Sequence, residues 1–242
     1  MRENFRKENL VIAGPCSIES LEQAMDTAKY LKSLGVKNFR GGAFKPRTSP
    51  DSFQGLGREA LSIMKRVKKE TGMITSTELM DGKDLKAVYD AVDIIQIGSR
   101  NMHNYTLLQT VGAQDKPIIL KRGMSATIEE WIKASEYIRR EGNDDIIMCE
   151  RGIRTFDTYT RNTMDIAAIP VIKKETGLPV IADPSHGTGI KELILPMSKA
   201  AIAAGADGLM IEVHPDPKKA LSDGEQSLNF EEFYEIYQEI KN

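Results

Sequence analysis

The chain has 242 residues, 40% of them hydrophobic, which supplies a sizeable core and suits one large domain, since α/β barrels reach about 250 residues as a single unit. Its 33 basic and 35 acidic residues leave a formal charge of −2, so no overall field draws it to nucleic acid or to a membrane, and any anion site must come from local clusters. The N-terminus MRENFRKENL lacks a signal-peptide core, and no run approaches the ~18 apolar residues of a membrane span. The two cysteines, Cys16 and Cys149, are therefore expected to be reduced, and the cytoplasm is the expected compartment.

Eight short apolar runs predict strands, over 10–15, 38–44, 73–77, 94–99, 117–123, 146–151, 178–183 and 208–214. Most are apolar throughout rather than alternating, as strands covered on both faces should be. Between them, amphipathic stretches predict helices over 20–34, 56–70, 127–140, 160–175 and 191–204. The glycines of SLGVK, ETGM and AAGAD supply left-handed C-caps. The alternation predicts an α/β fold, a single-domain (β/α)8 TIM barrel over residues 1–242, with residues 1–8 as a short N-terminal extension. A doubly wound sheet is the rival, but it usually has fewer strands. No linker or low-complexity tract marks a second domain.

In such a barrel the chemistry sits at the C-terminal ends of the strands. Here every strand end is polar: Cys16 after the first, Arg40 and the FKPRTS segment after the second, Glu78, Ser99–Arg100, Lys121–Arg122, Glu150–Arg151, then Asp183 with His186, and Glu212 with His214. Two sets stand out. Arg40, Lys45, Arg47, Arg100, Lys121 and Arg151 are cations that would repel one another unless they face several anionic groups, phosphates or carboxylates. Their bland reading is that half of them point into solvent or pair with Glu78 and Glu150. Cys16, His186, Glu212 and Asp223 offer sulfur, nitrogen and oxygen donors, a mixture suited to one borderline divalent ion. Taken singly, Cys16 reads as core and His186 as a turn cap. Cys149 and Trp131 read as packing, His103 as helix N-terminal surface, and His214 ranks below His186 as a ligand.

The segments GPCS, RGGAFKPRTS, QIGSRNM, ILKRGMS, CERGIRT, DPSHGTG and EVHPDP…ALSDG together resemble 3-deoxy-D-arabino-heptulosonate 7-phosphate (DAHP) synthase, closest to its compact type Iβ, over nearly the whole chain. The resemblance implies a barrel that condenses phosphoenolpyruvate with erythrose 4-phosphate, the first step of the shikimate pathway. It also implies one divalent metal, Mn²⁺ first and Fe²⁺, Co²⁺ or Zn²⁺ otherwise, on Cys16, His186, Glu212 and Asp223. Phosphoenolpyruvate is then expected on Arg40, Lys45, Ser99, Arg100, Lys121 and Arg151, erythrose 4-phosphate on Pro46, Arg47 and Thr48. Lys45 and Glu78 are the expected catalytic groups, Lys45 as general acid.

The family's small-molecule substrates leave no place for nucleic acid or membrane, and its members are homotetramers or homodimers. The chain begins almost at the first barrel strand, without the N-terminal regulatory domain of some relatives, so regulation would fall to a separate partner. Three other functions compete. The sister enzyme makes 3-deoxy-D-manno-octulosonate 8-phosphate from arabinose 5-phosphate, but its loop resembles KANRSS where this chain has KPRTS. A Schiff-base aldolase on Lys121 would want an apolar pocket around that lysine. A non-catalytic sugar-phosphate sensor would not need the donor set and both anion sites together.

Overall fold

The computed structural model describes residues 10–47 and 49–241. Eight strands close into a barrel in chain order: β1 (Leu10–Gly14), β2 (Asn38–Arg40), β3 (Ile74–Glu78), β4 (Ile94–Ile97), β5 (Ile118–Lys121), β6 (Ile146–Glu150), β7 (Val180–Ala182) and β8 (Gly208–Glu212). Seven of the eight expected runs contain their strand and extend beyond its end; β3 instead runs one residue past its expected end, to Glu78. β2 stops at Arg40 rather than at residue 44; beyond it Gly41 N still donates to Ser76 O, Gly42 bridges Ser17, and the backbone passes so close to Ile18 that a Cβ on Gly41 would lie 2.4 Å from its side chain. The extension expected over residues 1–8 lies outside the described residues.

Nine α-helices are formed among the described residues: α1 (Leu21–Ser33), α2 (Arg58–Thr71), α3 (Leu85–Tyr89), α4 (Tyr105–Gly112), α5 (Ile128–Arg140), α6 (Ala168–Thr176), α7 (Pro184–Thr188), α8 (Ile194–Ala203) and α9 (Phe230–Lys241). Local chemistry sets their ends. Ser20 caps α1 by accepting from Gln23 N, and Thr127 and Glu130 form a reciprocal capping box on α5. α2 ends at Gly72 with φ 69°, its N–H on Lys68 O. The helix expected over 160–175 begins only at Ala168. The residues before it pair back instead: Ile153 bridges Thr163, Arg161 N donates to Thr188 O, and the Asn162 amide donates to His186 O. No described helix is long and apolar enough to cross a membrane.

Two compact units are distinguished, one of Met1–Leu10 with Gln96–Met210, the other of Val11–Ile95 with Ile211–Asn242. In the first, parallel ladders set Lys121 opposite Cys149 and Glu150 opposite Ala182. In the second, they set Ala13 opposite Phe39 and Arg40 opposite Ser76. β4, β5, β6 and β8 are buried along their whole length, consistent with their largely apolar sequence. Charged side chains enter at the final residues of β2, β5, β6 and β8, Arg40, Lys121, Glu150 and Glu212, and all four are buried. Trp131 and Cys149 are packing residues, as expected. The indole is fully buried with its N–H on Leu120 O at 3.2 Å, and burial pushes the Cys149 thiol pKa up.

Candidate active site

The unit built on Val11–Ile95 and Ile211–Asn242 explains the setting of Cys16. Gly14 has φ 151°, and a Cβ there would sit 2.0 Å from the Arg40 carbonyl oxygen, so β1 reaches β2 this closely only through glycine. Pro15 leaves its carbonyl to accept from Arg40 Nη1 at 2.8 Å. The chain then turns and buries Cys16.

Asp223 lies 207 residues further on, yet the Cys16 thiol donates to its Oδ2 at 2.9 Å. A chain of short contacts brings the two segments together. Val213 N donates to Gly14 O at 2.9 Å, the Ser17 and Ser222 hydroxyls lie 2.7 Å apart, Leu221 N donates to Glu19 at 2.9 Å, and Ser227 Oγ donates to Asp223 O at 2.9 Å. Asp223 is the one described non-glycine residue with positive φ, 51°. Aspartate tolerates that conformation better than most residues, and it aims the carboxylate at the sulfur.

Cations line the same cluster. Lys45 Nζ donates to Cys16 Sγ at 2.8 Å and lies 3.9 Å from Asp223 Oδ2, and Arg47 Nη1 is 3.7 Å from that oxygen. Arg40 Nη1 donates to Glu212 Oε1 at 3.0 Å, and the Gln226 amide donates to Glu212 Oε2 at 2.6 Å. Burial, reinforced by the Glu212 charge, pushes the Cys16 thiol up to about 12. Burial disfavours the Lys45 ammonium, but Cys16 and Glu212 outweigh it and hold the lysine above its usual pKa.

Cys16, Glu212 and Asp223 each present a ligand atom within 4.8 Å of the others. One sulfur and two carboxylate oxygens, buried or half-buried, make a donor set that fits a borderline divalent ion. Their anionic charge is matched here by Lys45, Arg40 and Arg47.

Pro46 and Arg47 are half-buried beyond Lys45, and Thr48 lies outside the described residues. Glu78 closes β3, half-buried. His214 stands apart from the donor cluster. Its Nδ1 accepts from Asp216 N at 3.0 Å and its Nε2 faces Glu19 Oε2 at 3.3 Å, so a hydrogen-bonding role occupies both ring nitrogens.

In the unit containing Gln96–Met210, Asp183 follows β7 and caps the short α7: its Oδ1 accepts from His186 N at 2.9 Å. Its Oδ2 lies 2.7 Å from His186 Nδ1 and also takes a short contact from Lys121 Nζ. Asp183 is fully buried; burial alone would raise its pKa, but the charges of His186 and Lys121 hold it well below the usual carboxylate range. With the ring proton on Nδ1, the His186 lone pair sits at Nε2, the nitrogen suited to a metal. Lys121 is ion-paired with Asp183 instead of lying in the apolar pocket that a Schiff-base lysine requires.

Beside it, Arg122 Nη1 bridges Glu150 Oε2 at 3.2 Å and Asp165 Oδ2 at 2.8 Å, and its Nε donates to Ala126 O at 3.1 Å. Glu150 Oε1 accepts from Gly152 N and thereby shapes the turn that carries Arg151. Burial raises the Glu150 pKa and lowers that of Arg151, which is itself buried. Ser99 and Arg100 form a 3-10 turn after β4, Ser99 half-buried and Arg100 exposed. His103 is exposed.

The cations expected to repel one another are thus mostly paired already: Arg40 with Glu212, Lys45 and Arg47 with Asp223, Lys121 with Asp183. Sequence reading missed the pairing roles of Arg122, Asp183 and Gln226. For Asp183 a signal was there: an aspartate directly before proline and three residues before histidine is an N-cap pattern. For Arg122 and Gln226 no local signal exists, because their partners lie elsewhere along the chain.

The sequence profile of the DAHP synthetase I family matches residues 6–242. A phospho-2-dehydro-3-deoxyheptonate aldolase of Thermotoga maritima is 54% identical over 231 residues, covering 96% of this chain and 68% of that protein. A 2-dehydro-3-deoxyphosphooctonate aldolase of Legionella pneumophila (strain Corby) is more distant, 34% identical over 253 residues, with 97% of this chain and 91% of the relative covered. The crystal structure of the Thermotoga maritima phospho-2-dehydro-3-deoxyheptonate aldolase superposes with a TM-score of 0.94, covering 97% of this chain and 68% of that one at 54% identity. A truncated form of 3-deoxy-D-arabino-heptulosonate 7-phosphate synthase from the same organism superposes at 0.90, with 50% identity and coverage of 97% and 86%. With the sequence profile, the barrel and the donor cluster in agreement, the chain belongs to the DAHP synthetase I family.

Proposed function

We propose that this enzyme condenses phosphoenolpyruvate with erythrose 4-phosphate and water to give 3-deoxy-D-arabino-heptulosonate 7-phosphate and phosphate. The observation that carries the reading is the buried set of a thiol and two carboxylates interlocked with Lys45 and Arg40, in a chain 54% identical to a phospho-2-dehydro-3-deoxyheptonate aldolase. In the same reading one divalent ion, Mn²⁺ first, is held by Cys16, Glu212, Asp223 and His186. The ligand atoms of Cys16, Glu212 and Asp223, within 4.8 Å of one another, support this set. When bound, such an ion supplies Lewis-acid polarisation of the aldehyde oxygen.

The chain's own groups have separate tasks. Carbon 3 of the enol attacks the aldehyde carbon, water adds at carbon 2, and phosphate leaves by carbon–oxygen cleavage. Positive charge grows at carbon 2 during attack, so the cations must hold the outer oxygens of phosphoenolpyruvate and stay away from that carbon. Arg100, Lys121 and Arg151 take its phosphate and carboxylate oxygens, with Arg40 and the Ser99 backbone beside them. Glu78 stabilises the developing cation and guides the water. Lys45 gives a proton to the new alkoxide; its raised pKa keeps it charged until that moment. Pro46, Arg47 and Thr48 hold erythrose 4-phosphate.

The enzyme works in the cytoplasm as a homotetramer or homodimer. Substrate choice is tested by assaying metal-stripped protein with Mn²⁺ added back, on erythrose 4-phosphate and on arabinose 5-phosphate. Turnover of the four-carbon aldose supports the proposal. Preference for arabinose 5-phosphate would transfer the chain to the octulosonate reaction.

A further inference from the structure

Asp183 touches two groups to which the proposed function gives different tasks. Its Oδ1 is committed to the N-cap of α7, while Oδ2 faces both His186 Nδ1, at 2.7 Å, and Lys121 Nζ. An ionised carboxylate only accepts hydrogen bonds, so ring and ammonium both donate to one oxygen. The carboxylate is fully buried, and Lys121 is 5% exposed, so water does not relieve the competition.

We propose that Asp183 is a positioning residue that couples the metal-binding state of His186 to the anion-binding state of Lys121 through Oδ2. The inference rests on the reading that His186 takes the ion and Lys121 takes phosphoenolpyruvate. A hydrogen bond from Nδ1–H to the carboxylate fixes the lone pair at Nε2 and makes that nitrogen more basic. When an anionic oxygen draws on the Lys121 ammonium, the ammonium loosens its hold on Oδ2, and the imidazole gains the oxygen. When an ion sits on Nε2, Nδ1–H becomes a stronger donor, draws on Oδ2, and releases the ammonium to the anion. Each ligand therefore tightens the other, and linkage makes the two effects equal.

Asp183→Asn separates the roles. Its amide oxygen keeps the cap, since asparagine caps helices as well as aspartate does. Its NH₂, turned toward Nδ1, makes that nitrogen an acceptor and moves the ring proton to Nε2. The experiment titrates Mn²⁺ and phosphoenolpyruvate calorimetrically into metal-stripped full-length protein, each with and without the other. It also records ¹⁵N NMR spectra of the metal-free protein at a pH where imidazoles are neutral. The chain has 3 histidines, so the spectrum is readily assigned, and His214 serves as the internal reference for an Nε2–H ring.

In wild type, His186 is expected as the Nδ1–H form, and each ligand tightens the other about fivefold or more. In Asp183→Asn, His186 is expected as the Nε2–H form with His214 unchanged, Mn²⁺ affinity falls about 10- to 100-fold, and the mutual tightening largely disappears. Direct attraction between ion and anion would survive the substitution, so full wild-type coupling in Asp183→Asn overturns the linkage while leaving the proposed function standing. Wild-type protein that binds neither ligand overturns that function instead. Should Asp183→Asn fail to fold, Lys121→Met decides the matter. Oδ2 then belongs to His186 alone, and Mn²⁺ affinity without phosphoenolpyruvate must rise; an unchanged or lower affinity overturns the linkage.

Discussion

Lys45 Nζ lies 2.8 Å from Cys16 Sγ, an ammonium and a thiol buried side by side at the head of two neighbouring strands. Each answers a problem set by the other. Burial holds the sulfur as a thiol, with a pKa of about 12, and the lysine offsets part of that cost. The sulfur and Glu212 in turn keep the lysine protonated. If Lys45 is the proton donor and Cys16 a metal ligand, as proposed, both are fixed in one place before any substrate arrives.

If Lys45 delivers the proton to the alkoxide, Lys45→Met should reduce turnover by about 10²- to 10⁴-fold. Bound Mn²⁺, measured by elemental analysis, should stay at the wild-type ratio, because Cys16, Glu212 and Asp223 remain. Wild-type turnover in this variant would remove Lys45 from the catalytic step.

Dialysis against a chelator should abolish activity, and Mn²⁺ should restore it. Cys16→Ala should weaken Mn²⁺ binding in the same assay, since it removes one of the four proposed ligands. Metal-stripped protein with full activity would contradict the metal reading altogether.

Arg122 holds two carboxylates, and its side chain is 3% exposed. Arg122→Met leaves Glu150 buried without its charged partner, a loss of about 3–5 kcal/mol at neutral pH. The folded-state pKa of Glu150 already lies above its unfolded value, so its ionised form opposes folding at neutral pH. That penalty fades as pH falls through the folded pKa toward 4.5, where the buried carboxyl is protonated. Urea denaturation should therefore show a smaller deficit for Arg122→Met at pH 5 than at pH 7. An equal deficit at both values would mean that Glu150 is not the group responsible.

Gly14→Ala should be costly for a different reason. The added Cβ would fall 2.0 Å from Arg40 O, against backbone that has no rotamer to yield. A loss of at least about 1–3 kcal/mol is expected, together with weaker Mn²⁺ binding, because displacing β1 from β2 moves Cys16. A variant with wild-type melting temperature and wild-type Mn²⁺ affinity would show that the close approach is dispensable.

The amino-acid sequence determined the strands and most helices by itself, because an unbroken apolar run, a 3.6-residue period and a capping serine are local features. It also identified Cys16, Arg40, Lys45, Lys121, Asp183, His186, Glu212 and Asp223 as polar residues at or beyond strand ends, where a barrel keeps its chemistry. It overran at residues 160–167, where helical patterning lost to pairing of Ile153 with Thr163 and of Arg161 with Thr188. What only the tertiary structure decided was which charge meets which: Asp223 beside a thiol 207 residues away, Arg122 rather than Arg151 on Glu150, Lys121 and His186 on one oxygen of Asp183. Such pairings are fixed by strand register and loop closure, and electrostatics follows distance in space, which the order of residues along the chain does not record.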